Sequence, residues 1–117
     1  MNKCVRLSGR YTLLLIVFLF CNLAQAASFN CNLAKHADER AICADPHLSE
    51  LDVRLATTYR LLQQQLLMGA RGALQDEQNA WLRQRRHCKT DQYCLAQQYS
   101  QRQQELDALY RQHIQPE

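Results

Sequence analysis

The chain predicts an all-α fold: a small antiparallel helical bundle of three longer helices plus a short N-terminal helix, stapled by two disulfides. Three observations lead there. Apolar residues recur at spacings of three and four along extended stretches, and no β-alternation competes with them. Glycine and proline are sparse after residue 26, being confined to Pro46, Gly69, Gly72 and Pro116, so the helical segments run long. Four cysteines fall into two local pairs beside those patterns, Cys31 with Cys43 and Cys88 with Cys94.

The first 26 residues have the pattern of an export signal. Lys3, Arg6 and Arg10 form a basic start, Thr12 to Phe20 an apolar centre, and Ala24-Gln25-Ala26 a small-residue cleavage site. The apolar stretch Tyr11 to Leu23 is shorter than the roughly 20 residues a bilayer core needs, so no integral membrane segment is expected after cleavage. Phe20 stands before Cys21 where a lipoprotein signal needs a small residue, which argues against acylation of Cys21. The expected organisation is a cleaved signal, 1–26, and one helical domain, 27–117, in the periplasm or secreted.

Removing 26 of 117 residues leaves 91, enough for one domain with a modest core. Three of the 14 basic residues leave with the signal, so 11 face 11 acidic ones and the exported domain is neutral. Nothing in that balance favours nucleic acid, whose recognition depends on neutralising phosphates. Four cysteines allow three pairings. Eleven residues separate Cys31 from Cys43 and five separate Cys88 from Cys94, so local pairs order the least chain. Each should stabilise by roughly 2–3 kcal/mol. No C-x-x-C occurs and finger spacing is lacking, so structural disulfides are expected, with no metal and no cofactor.

Element by element, a short first helix spans about Lys35 to Ala44 and stops at Asp45-Pro46. The second runs from Pro46 to about Met68, with Leu48, Leu51, Leu55, Tyr59, Leu62 and Leu66 in one stripe. A turn over Gly69 to Gly72 leads to a third helix, about Ala73 to Arg86, with Leu74 and Trp81 on one face. The fourth covers about Asp91 to His113, with Leu95, Tyr99, Leu106, Leu109 and Tyr110 inward. The glutamine-rich stretches fall on outward faces, and the tail after Ile114 is expected to fray.

Some polar residues fall on inward faces. Arg85 lies about 20° from Leu74 on the helical wheel, and Asp52 about 40° from Leu48. Arg102 falls between Leu95 and Leu109. A buried charge needs a partner, so Asp52 with Arg85, or with Arg102, is the expected structural ion pair, with Gln78 able to join it. The functional alternative is a ligand-binding or catalytic carboxylate held by arginine. Catalytic motifs are otherwise missing: there is no H-E-x-x-H, G-x-S-x-G or phosphate loop, Ser49 has no evident base, and the histidines are scattered. An enzyme is not expected.

One exposed feature points outward. Arg83 and Arg86 leave the inner face of the third helix, and Lys89, Asp91 and Tyr93 follow within or beside the Cys88–Cys94 loop. The helix macrodipole accounts for cations at a helix end, but not for Lys89 and Tyr93 in a clamped protrusion. Arg86, Lys89, Asp91 and Tyr93 are therefore the candidate partner-binding residues.

The runs Phe29-Asn30-Cys31, Ala41-Ile42-Cys43-Ala44-Asp45 and Leu48-Ser49-Glu50-Leu51-Asp52, with Tyr59, resemble the opening half of the lysozyme inhibitor LprI family. Glu77-Gln78, Trp81-Leu82, Arg85 and Cys88, then Cys94-Leu95, Tyr99 and Arg102, resemble its second half, so the likeness extends over nearly the whole exported domain. Arg86 and Asn30 stand where that family usually carries aspartate. The resemblance implies a small exported protein that binds a lysozyme and occludes its active-site cleft. Such a cleft carries two catalytic carboxylates, against which Lys89 could pair while Tyr93 adds contact area. A neutral domain offers a basic lysozyme no long-range steering, so complementarity would be local. The alternative is an envelope structural or chaperone-like module that binds proteins through a helical groove.

Overall fold

In the computed structural model of the chain the described residues are 27–114; the export signal and the frayed tail expected from the sequence lie outside them. Four α-helices follow one another: α1 (Ala37–Ala44), α2 (Pro46–Gln65), α3 (Met68–Arg85) and α4 (Gln92–His113). Short 3-10 turns occupy Cys31–Leu33 and Arg86–Cys88, and the described residues contain no strand. None of these helices is long and apolar enough to cross a membrane.

Local chemistry fixes the helix starts. Asp45 accepts from the amides of His47 (2.8 Å) and Leu48 (3.1 Å), and Pro46 takes the first helical position of α2, where a missing N–H costs nothing. Glu39 reaches back from α1 to the amides of Lys35 (2.7 Å) and His36 (3.1 Å). The Ser49 hydroxyl donates to Ile42 O at 2.6 Å, tying α2 to α1 within the core.

The turn expected at Gly69 to Gly72 is not there. The chain turns at Leu66 and Leu67, both extended, and α3 begins at Met68. Both glycines are helical, and neither has a positive φ. The Arg71 guanidinium caps the end of α2 by donating to Leu66 O at 2.9 Å. Leu66 stays buried while Leu67 projects into solvent, so the reversal uses two leucines of opposite fate.

Side-chain contacts give the helix directions. Tyr99 meets Asp52 and Gln103 meets Thr58, so α2 and α4 run parallel. Arg102 meets Gln78 and Trp81 meets Gln98, so α3 runs against α4. Between them lies one core of Ile42, Leu48, Leu55, Leu62, Leu66, Leu74, Trp81, Leu95, Tyr99 and Leu106. Ala27 is buried with it. Disulfides join Cys31 to Cys43 and Cys88 to Cys94, the local pairing expected from the spacing.

Candidate functional site

Four helices each send one polar residue to a common buried point: Asp38 from α1, Asp52 from α2, Arg85 from α3 and Tyr99 from α4. Arg85 Nε donates to Asp38 Oδ2 at 2.9 Å, and its Nη1 donates to the Tyr99 hydroxyl at 2.9 Å. That hydroxyl donates to Asp52 Oδ1 at 2.8 Å, leaving Arg85 Nη1 3.9 Å from the same carboxylate oxygen. Asp52 Oδ2 accepts the Ser28 amide at 2.7 Å. The guanidinium also lies over the rings of Trp81 (5.5 Å) and Tyr99 (5.9 Å), which meet edge to face at 5.3 Å. Burial pushes the Tyr99 hydroxyl's pKa far up; Arg85 pulls it down and Asp52 adds to the rise, so it remains a neutral donor.

Arg102 does not share this network, contrary to one of the pairings expected from its wheel position. Three residues beyond Tyr99 on α4, it lies level with Gln78 rather than Asp52, and its Nε donates to Gln78 Oε1 at 3.1 Å. Its Nη1 lies 2.7 Å from Glu105 and 3.6 Å from Glu77, both exposed. Asp38, which the sequence reading missed, takes the closest charge contact with Arg85. It stands four residues before Ile42 and so on the buried face of α1, the signal that could have found it.

Beside the network opens a pocket of about 320 Å³, walled by Phe29, Leu55, Tyr59, Trp81 and Leu82 and floored by Asp52 and Arg85. Glu39 stands at its edge: burial raises its pKa, but the amides of His36 and Lys35 and the charges of His36 and Arg85 outweigh that and leave it lowered. Asp52 Oδ1 joins α2 to α4 through Tyr99 and Oδ2 holds the segment before α1 through the Ser28 amide, so the carboxylate is placed as a structural pivot.

The second feature is the turn joining α3 to α4. Lys89 has φ 54° and ψ −118°, and the Asp91 amide donates to Cys88 O at 3.0 Å across it. This is the first central position of a type II′ turn, where glycine is the usual occupant. The Cys88–Cys94 disulfide closes the turn from beneath. All four candidate binding residues here, Arg86, Lys89, Asp91 and Tyr93, are exposed, Tyr93 by 74%. Asp91 spends its carboxylate on the Cys94 amide at 3.0 Å as the cap of α4. The Tyr93 hydroxyl accepts from Gln97 Nε2 at 2.8 Å, which fixes the ring along the helix.

No curated protein and no solved structure matches the chain. The family described as lysozyme inhibitor LprI matches residues 31–93, a stretch shorter than the resemblance in the sequence, since Cys94, Tyr99 and Arg102 lie beyond it. It still spans more than half of the 117 residues, including three of the four paired cysteines, both network aspartates, Arg85 and the clamped turn as far as Tyr93. The chain therefore belongs to the lysozyme inhibitor LprI family, an inhibitor family rather than an enzymatic one.

Proposed function

We propose that this protein is exported to the periplasm or the medium and inhibits a lysozyme, docking through the Cys88–Cys94 turn so that Lys89 faces the cleft. Family membership carries the activity. The site is supported by the backbone of Lys89: a lysine held where glycine is usual stores strain, and such positions cluster where a side chain must be presented in one direction. Covalent closure lowers the ordering cost of binding. Arg86 and Tyr93 flank the lysine as further contacts, and Asp91 keeps the turn seated on α4. The two disulfides support an extracytoplasmic location.

Lysis of peptidoglycan by several lysozyme classes, with and without purified domain, tests the reading. Lys89→Glu should weaken inhibition at least tenfold by setting a negative charge against the acidic cleft, with an unchanged thermal melt. Gln104→Glu, at an exposed position of α4 away from the turn, should have little effect. No binding of any lysozyme at micromolar protein would overturn the function; inhibition indifferent to Lys89 would move the site. A second reading, an envelope module that binds other proteins, is favoured by one observation: Leu67 and Met68, adjacent at the α2–α3 corner, are 84% and 86% exposed. Capture of envelope proteins lost on Leu67→Ser, without lysozyme inhibition, would select it.

A further inference from the structure

The buried network carries unbalanced charge. Asp38 and Asp52 are 1% and 5% exposed, and Arg85 is the cation that contacts both. Asp38 Oδ1 has no hydrogen-bond partner among the described residues. Glu39 adds a third carboxylate at the rim of the adjoining pocket, beside Ser28 and Phe29. Excess buried negative charge is costly, so a further cation nearby would stabilise the fold.

The N-terminal segment brings a nitrogen to that point. Ala27 is 4% exposed, and the following amide, of Ser28, donates to Asp52 Oδ2 at 2.7 Å. Consecutive backbone nitrogens are roughly 3–3.7 Å apart in standard geometry, which places the Ala27 nitrogen within about 6.5 Å of that oxygen. In the uncleaved chain this nitrogen is a neutral peptide amide. We propose that removal of the export signal converts it into the missing cation, an α-ammonium on Ala27 that pairs with Asp52 and completes the network. Hydrolysis of the Ala26–Ala27 bond consumes one water, leaving a carboxylate on Ala26 and, at neutral pH, a protonated amine on Ala27.

This inference rests on the export reading proposed above, with cleavage after Ala26. The charged and titratable groups of the network and of the adjoining pocket are Asp38 and Glu39 from α1, Asp52 and Tyr59 from α2, Arg85 from α3 and Tyr99 from α4, with His36, just before α1, acting on Glu39. Arg85 and the burial of Ala27 oppose the amine's charge, and the three carboxylates favour it and set the expected sign. An α-amine ordinarily titrates near about 7.7–8.0. Raising its folded pKa adds stability that is fully present below that range and lost as pH rises through the raised value. A rise of about one unit is a tenfold gain in the folding equilibrium constant.

The test exports the full chain and a variant with Ser-Gly inserted between Ala26 and Ala27, which keeps the cleavage site and moves the amine about 7 Å along the chain. Intact mass reads the first residue of each product. Urea unfolding between pH 6 and 10 should show the native product about tenfold more stable in its folding constant at pH 6.5, with the two curves converging above about pH 9. NMR titration of the terminal amine should give a pKa about one unit higher in the native product, a reading that needs no further variant. Asp52→Asn should remove both differences where it folds. Parallel pH profiles and equal amine pKa values, with the native product starting at Ala27, would overturn the ion pair and leave the export reading standing. A native product starting at any other residue would overturn both.

Discussion

Arg85 engages two carboxylates on two helices with different nitrogens, Nε toward Asp38 and Nη1 toward Tyr99 and Asp52. Arg85→Gln should therefore cost about 3–5 kcal/mol in urea unfolding, because it strands two buried carboxylates. Tyr99→Phe should cost about 1–3 kcal/mol, since Asp52 Oδ1 and Arg85 Nη1 each lose a partner. If either change left the unfolding midpoint in place, the network would carry no structural weight. At Lys89 the expectation is inverted: Lys89→Gly relieves a strained φ and should stabilise by about 1 kcal/mol while weakening inhibition. Thermal melts paired with the lysis assay read both halves. The inward placement of Asp52, Arg85 and Arg102 was legible from helical spacing, because a wheel reports which face a residue takes. Asp52 with Arg85 was one of the two pairings expected, and the choice between Arg85 and Arg102 stayed open because it depends on the level at which parallel and antiparallel helices meet. A wheel has no such coordinate, so it assigns the Tyr99 hydroxyl no partner, whereas Asp38 is legible from its spacing to Ile42 although it stands beside the polar Glu39 and Arg40.

Among the elements, α3 differs most from expectation. The sequence pattern marks Gly69 and Gly72 as a turn, yet both lie in the first two turns of α3 without a positive φ, and a Cβ at either would meet nothing within 4 Å. Glycine in a helix costs roughly 0.5–1 kcal/mol relative to alanine, so Gly69→Ala and Gly72→Ala should each stabilise by about that much. A lowered denaturation midpoint in either variant would show that the helix does not start at Met68. The reversal at Leu66 and Leu67 was illegible because two leucines continue an apolar pattern. Their opposite exposure is decided by tertiary packing, which the pattern cannot report. By contrast Asp45-Pro46 and Asp91 announced their helices correctly, since capping is chemistry between near neighbours.

At the scale of the molecule, the two disulfides each close a short loop, over sequence separations of 12 and 6. Neither links α2 to α4, whose union rests on packing and on the Asp52–Tyr99 and Thr58–Gln103 contacts, the first of these 47 residues apart in sequence. That parallel pairing sets the order in which the chain can fold. Adjacent antiparallel helices can form a hairpin as soon as both exist, but parallel neighbours must wait for the whole of the helix between them and then for the second partner. A chain ending before Gln92 should consequently show no cooperative unfolding transition, and a sharp transition in that fragment would contradict the dependence on α4. Synthesis proceeds from the N-terminus, so α1 to α3 lack their closing surface until Leu95, Tyr99 and Leu106 have been made. Under the export proposed above, the chain would remain an open thread for most of its synthesis, the state in which a narrow secretion channel can accept it, and its last helix would determine when that state ends.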